Sequence, residues 1–198
     1  NKVAGSDPVP GGGSVAALNG AIASALAAMV AGLTIGKKGY EDTGEIMKHI
    51  QTLALTQKTG FVVDIDRDSE AYNKVFDCFK LPKNTDEEKN IRSAAIQEAT
   101  KFAALVPMQV ARNAYELMGI IADVAKMGNR NAVTDACVAM ISARSAVLGA
   151  LMNVRINLGS LKDRTFVEQL QSEADELERK ACIKEKELLD AINQDLRI

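Results

Sequence analysis

The sequence predicts an all-α protein, an up-and-down bundle of five to six helices that dimerises. Three observations carry this. Only 4 prolines occur in 198 residues, and several long stretches lack both Pro and Gly, which favours a few long helices over many short strands. Apolar residues make up 47% of the chain but aromatics only 4%, with no Trp. The core must then come from Ala, Val, Ile, Leu and Met, which suits helices packed closely side by side. Thirdly, Thr85-Asp86-Glu87-Glu88 and Thr165-Phe166-Val167-Glu168 each have the form of a capping box, the signature of a helix start.

The elements follow in order. Pro8-Val9-Pro10-Gly11-Gly12-Gly13 cannot be regular structure, because proline fixes φ and glycine frees it. Ser14 is placed to cap a helix over residues 15–33 whose faces are nearly all small. After a break at residues 36–40, a second helix runs from 42 or 43 to 79, with a disturbance expected near Gly60. Its apolar residues, among them Met47, Ile50, Phe61, Ile65, Tyr72 and Val75, recur at helical spacing. The third helix starts at the Thr85 box, and Pro107 is expected to kink it or divide it from a helix ending near 127. Residues 132–158 carry only Asp135, Arg144 and Arg155 as charges, so that helix is central. The last helix, to about 196, is charged, with a stripe of Leu170, Leu177, Ile183, Leu188 and Ile192. Residues 1–198 read as one domain.

Composition excludes several function classes. With 24 basic and 26 acidic residues and no polybasic run, the chain has no grip for nucleic acid. Residues 8–36 are uncharged and long enough to span a bilayer, but Ala and Gly dominate them, so they read as a helix buried in protein rather than membrane. Cys78, Cys137 and Cys182 are odd in number and far apart, which fits packing residues in a reducing compartment. No secretory signal pattern opens these residues, and a cytoplasmic protein is expected. The lone His49 has no Cys, Ser or carboxylate constellation, which removes a catalytic triad and a histidine metal site.

Chemistry can sit in three places. The Gly11-Gly12-Gly13-Ser14 loop leads into a helix N-terminus, where free amides favour an anion, although a plain turn explains it equally well. In Asp64-Ile65-Asp66-Arg67-Asp68-Ser69-Glu70 the carboxylates form neighbouring rows, which suits a proton carrier or a solvated acidic face. Gly128-Asn129-Arg130-Asn131 with Asp135 opens the most apolar helix, and Asn153 and Asn157 share one face of it, suited to core hydrogen bonding or to ligand contact. Lys37 and Lys38 face an acidic ligand or solvent.

Together these segments resemble the formiminotetrahydrofolate cyclodeaminase and methenyltetrahydrofolate cyclohydrolase family. The resemblance runs through Pro10-Gly11-Gly12-Gly13-Ser14-Val15-Ala16-Ala17, then Asp66-Arg67-Asp68-Ser69-Glu70-Ala71-Tyr72. It continues through Leu81-Pro82-Lys83-Asn84-Thr85, Gly128-Asn129 with Asp135, and Asn153-Val154-Arg155-Ile156-Asn157-Leu158, in the same order. It implies a helical homodimer acting on a reduced folate without a metal or redox cofactor. The catalytic aspartate matches Asp68, with Asp66 beside it. The Gly11 to Ser14 loop lines the folate pocket, Asn129, Asp135 and Asn153 orient the ring, and Lys37 and Lys38 meet the glutamate tail. The leading expectation is cyclodeamination of 5-formiminotetrahydrofolate to 5,10-methenyltetrahydrofolate and ammonia, with a formiminotransferase as partner. The alternatives are hydrolysis of 5,10-methenyltetrahydrofolate to the 10-formyl form, and a catalytically silent assembly module.

Overall fold

The computed structural model describes residues 2–196. Five α-helices follow one another: α1 (Gly12–Gly32), α2 (Gly44–Phe79), α3 (Asp86–Met127), α4 (Val133–Leu158) and α5 (Arg164–Leu196), with no strand among the described residues. α1 packs on α2 and α4, α3 closes the ring by packing on both, and α5 lies across α4 and α3.

Small residues set the closeness of α1 to its neighbours. Ala16, Ala17, Gly20, Ala23, Ala27 and Ala31 are all buried. A Cβ added to Gly20 would stand 2.7 Å from the Phe61 ring of α2, so that ring occupies a hole only glycine leaves open. α1 begins at Gly12 with an extended Gly11 before it, three residues earlier than a Ser14 cap would place it. The Ser14 hydroxyl is directed instead across to α2.

α2 is one helix, without a break at Gly60, whose surroundings are open. A glycine there costs about 1 kcal/mol relative to alanine, less than the buried Phe61 next to it returns. The Thr85 capping box is formed, with both reciprocal hydrogen bonds to Glu88. α3 then runs unbroken through Pro107. A proline lacks the N–H that would serve the carbonyl four residues back, here Ala103. Asn157 of α4 serves it instead, donating from Nδ2 to Ala103 O at 3.0 Å and to Asn153 O at 2.8 Å.

α4 is central as expected, and its two arginines reach α5: Arg144 to Glu185 at 2.6 Å, Arg155 to Asp175 at 2.9 Å and to Glu178. α5 starts one residue before Thr165. Asp163 holds its first turn, accepting from the Phe166 amide at 3.1 Å, because its carboxylate reaches that amide in the geometry expected of Thr165. On α5, Leu170, Ala174 and Ala181 are buried, whereas Ile183 is exposed. α1 and residues 130–158 are each long and apolar enough to cross a membrane, and both are packed against three other helices of the bundle.

Candidate active site

Gly12 and Gly13 open α1 beside Asn153 of α4 and Asp68 of α2. α2 continues from there to Phe79 and α4 to Leu158, so their last turns stand beyond the start of α1. The space left is a cleft of ≈ 340 Å³. Its floor is Gly11, Gly12, Gly13 and Asp68; its walls are Tyr72 and Val75 of α2, Ala103 of α3, and Asn153, Ile156 and Asn157 of α4. Pro8 and Val9 form the lip.

Asp68 lies directly on the helix start. A Cβ on Gly13 would fall 2.1 Å from Asp68 Oδ1 and 2.7 Å from Oδ2, so the carboxylate takes the place of a side chain. The buried Ser14 has its Oγ 3.0 Å from Asp68 Oδ2, 3.0 Å from Ile65 O and 3.3 Å from Ser69 Oγ. It has one hydroxyl proton for these acceptors. With Asp68 ionised, Ser14 donates to the carboxylate. With Asp68 protonated, Ser14 turns its proton to Ile65 O and accepts from the acid. Both states of the aspartate are therefore satisfied without movement of the backbone.

Burial pushes the Asp68 carboxyl above the ordinary aspartate range, opposed by hydrogen bonds from the Ser14 hydroxyl and amide. The positive end of α1 also favours the anion. A carboxyl caught between these effects is suited to both giving and taking a proton.

The other predicted residues fall into three groups. Gly11, Gly12, Gly13, Ser14 and Asn153 converge with Asp68. Asp66 does not: it is exposed and absent from the cleft lining, because two helical residues turn it about 200° away from Asp68. Asp64, on the same side as Asp68, is buried and bound to Arg67 at 2.7 Å. Burial pushes the Asp64 carboxyl up, and Arg67 holds it back.

Lys37, Lys38, Asn129 and Asp135 stand at the far end of the bundle, about 30 Å along α1 and α4 from the cleft by helical rise. Lys37 and Lys38 follow the end of α1, while Asp135 sits in the first turn of α4. Asn129 has a structural task there. Its amide N–H donates to Thr34 Oγ1 at 2.8 Å, Nδ2 donates to Leu33 O at 3.3 Å, and Oδ1 accepts from the Asn131 amide at 3.1 Å. These bonds tie the α3–α4 turn to the end of α1. A groove of ≈ 730 Å³ opens at that same end, lined by residues including Lys126, Arg130, Lys184 and Asp195. It is the larger of the two, but it lacks a carboxylate seated on a helix start.

Sequence reasoning missed Tyr72 and Ile156 as walls. Their signal was spacing: Tyr72 stands four residues after Asp68, and Ile156 three after Asn153, each on the same helical face. Asn157 has two tasks: its side-chain amide serves the Ala103 carbonyl of α3, and the residue also lines the cleft.

A helical bundle holding one pliant carboxyl against a glycine-rich helix start is an arrangement suited to proton transfer on a small ligand. The family model described as formiminotransferase-cyclodeaminase matches residues 1–176, and the chain belongs to that family of folate one-carbon cyclodeaminases and cyclohydrolases. A Methylorubrum extorquens protein named methenyltetrahydrofolate cyclohydrolase is 42% identical over 179 residues, covering 88% of this chain and 84% of that one. Mouse formimidoyltransferase-cyclodeaminase is 34% identical over 160 residues, which are 81% of this chain but 30% of the mouse protein. The crystal structure of formiminotetrahydrofolate cyclodeaminase from Thermotoga maritima superposes with a TM-score of 0.82 at 32% identity, covering 96% of this chain and 93% of that one.

Proposed function

We propose that this chain hydrolyses 5,10-methenyltetrahydrofolate to 10-formyltetrahydrofolate, with Asp68 as the proton carrier. The observation that carries the chemistry is the Asp68 carboxyl, raised by burial and held by Ser14 at the floor of a cleft. The choice of water as the attacking group is supported by the 42% identity to a cyclohydrolase over most of both chains. The cleft volume lies at the lower end of the range for small-molecule pockets and suits a pteridine with its one-carbon bridge.

The bridging carbon of the substrate is an amidinium, already electrophilic, so no metal or redox cofactor is required. Water adds to it as Asp68 takes one proton, giving a neutral carbinolamine between nitrogens 5 and 10. Asp68 then returns that proton to nitrogen 5. The bond from carbon to nitrogen 5 breaks as the carbinol oxygen loses its proton to solvent, leaving a formyl group on nitrogen 10. Asn153 at the side of Gly12 orients the pteridine, and Ile156 covers one of its faces.

Cyclodeamination is the second reading, favoured by the superposition on the Thermotoga cyclodeaminase. There nitrogen 10 attacks the formimino carbon, Asp68 takes its proton, and the proton is delivered to the departing amine. That reaction calls for a formiminotransferase to supply the substrate. A homodimer fits either reading. Leu18, Ile22, Met29 and Leu33 of the α1 edge, with Val138, Ile141, Met152 and Ile156 of α4, form uncharged stripes on the surface of the single chain. Within one chain Lys37, Lys38 and Asp135 cannot reach the cleft; an antiparallel second copy is what would carry them to it.

Purified protein offered each substrate separates the readings through the methenyl chromophore. Hydrolysis predicts its loss well above the spontaneous rate. Its appearance from the formimino compound, without accelerated loss, would replace the first reading by the second. If neither change occurs, the silent assembly module remains.

A further inference from the structure

Five Phe and three Tyr are the chain's whole aromatic supply, and three of them stand in a row on one face of α2 just outside the cleft. Tyr72 lines the cleft wall, and Phe76 and Phe79 continue from it at spacings of four and three residues, on the face that carries Asp68. All three are exposed, at 42%, 52% and 52%. The Tyr72 and Phe76 rings lie nearly parallel, 10° apart in plane with centroids 6.4 Å apart. Such rings on a helix surface are out of place for packing, since the inner face of α2 is held by Met47, Ile50, Ala54, Phe61 and Ala71.

Cations attend the row. Lys80 Nζ stands 4.7 Å from the Phe76 ring centroid, and the Arg92 guanidinium of α3 5.5 Å from that of Phe79. Arg92 is fixed there by donating from Nε and Nη2 to Phe79 O at 3.3 and 3.1 Å, so its described partners are a carbonyl and a ring, not a carboxylate. Lys80 is shared with Asp77 at 2.7 Å. From Asp68 to Lys80 the rise along α2 is about 18 Å.

We propose that Tyr72, Phe76 and Phe79, with Arg92 and Lys80 at the outer end, form the subsite for the p-aminobenzoyl-glutamate arm of the folate. This rests on the folate reading above and adds to it the residues that select the arm. The order of chemistry matches the order along the helix: the proton-handling carboxyl at the one-carbon bridge, aromatic faces for the benzoyl ring, then cations for the glutamate carboxylates. Within one chain it fills the role that Lys37 and Lys38, at the other end of the bundle, cannot reach.

The test compares 5,10-methenyltetrahydropteroate, which has the ring but no glutamate, with 5,10-methenyltetrahydrofolate. Arg92→Gln is expected to raise KM for the glutamylated substrate about tenfold with kcat held, and to move KM for the pteroate less than twofold. Phe76→Leu is expected to raise KM for both. Lys80→Gln, at an exposed site, repeats the Arg92 test if Arg92→Gln fails to fold. Unchanged KM in all variants, an equal effect on both substrates in Arg92→Gln, or a halved sedimentation mass in Phe76→Leu would overturn the proposal. If the wild-type protein turns over neither substrate, the folate reading fails by itself. Calorimetric titration with p-aminobenzoylglutamate alone then decides: binding lost in Arg92→Gln supports the subsite, and binding that is absent or unaltered overturns it.

Discussion

Gly13 and Asp68 occupy what would be one side chain's space, and each explains the other. Gly13→Ala places a methyl group 2.1 Å from Asp68 Oδ1, so the carboxylate must leave the helix start. We expect turnover to fall by about tenfold or more while helix content by circular dichroism persists. Asp68→Asn removes the proposed proton carrier with its shape kept, and turnover should fall by about a hundredfold or more. Because Asp68 must be ionised to take a proton, and burial raises its pKa, the acid limb of kcat/KM should lie above the ordinary aspartate range. The same shift has a consequence for stability. A carboxyl whose folded pKa is raised binds protons more readily folded than unfolded, so its contribution is fully present below the unfolded pKa and is lost as pH rises through the folded one. Thermal melts at neutral pH should therefore find Asp68→Asn more stable than wild type, with that advantage gone in acid. An Asp68→Asn protein that melts lower at neutral pH would contradict the burial argument.

Among the elements, the joint between α3 and α4 depends on a single amide. Asn157 donates to the Ala103 carbonyl that Pro107 leaves unserved. Asn157→Ala should destabilise the protein by about 1–3 kcal/mol in urea melts, because a half-buried carbonyl loses its donor. Pro107→Ala restores an N–H to the helix, so in the Asn157→Ala background it should recover part of that loss. Strictly additive effects of the two substitutions would show that the carbonyl is not shared between them. This joint also shows where sequence reasoning stops. Helix starts at Thr85 and near residue 132 were legible because capping and loss of charge are local properties. Pro107 predicted a kink or a break, and the donor that lets α3 run through it lies fifty residues away in sequence. Ser14 looked like a cap by type and position, but its hydroxyl is engaged by a neighbouring helix. Asp66 and Asp68 are alike in a string of letters, and only the 200° between them puts one over the cleft and the other in water.

Over the whole molecule, the motifs were found in the right helices and yet not all in one place. Matching by order along the chain carries no length, and α1 and α4 separate Gly13 and Asn153 from Lys38 and Asp135 by most of the bundle. The uncharged stripes of α1 and α4 run between those two ends, with Met152 at 70% and Ile156 at 77% exposure beside the cleft. Sedimentation at micromolar concentration should find a dimer, and Met152→Glu should shift it toward monomer. A wild-type monomer would leave those stripes without an occupant.

The central claim is that Asp68 carries the proton when water opens the methenyl bridge. Its most direct test is the decay of 5,10-methenyltetrahydrofolate followed from acid to neutral pH with wild-type protein and with Asp68→Asn. Catalysed decay in the wild type, rising with pH through one ionisation above the usual aspartate range and lost in the folded variant, is the predicted result. Catalysed decay that survives Asp68→Asn with the same pH profile would contradict it.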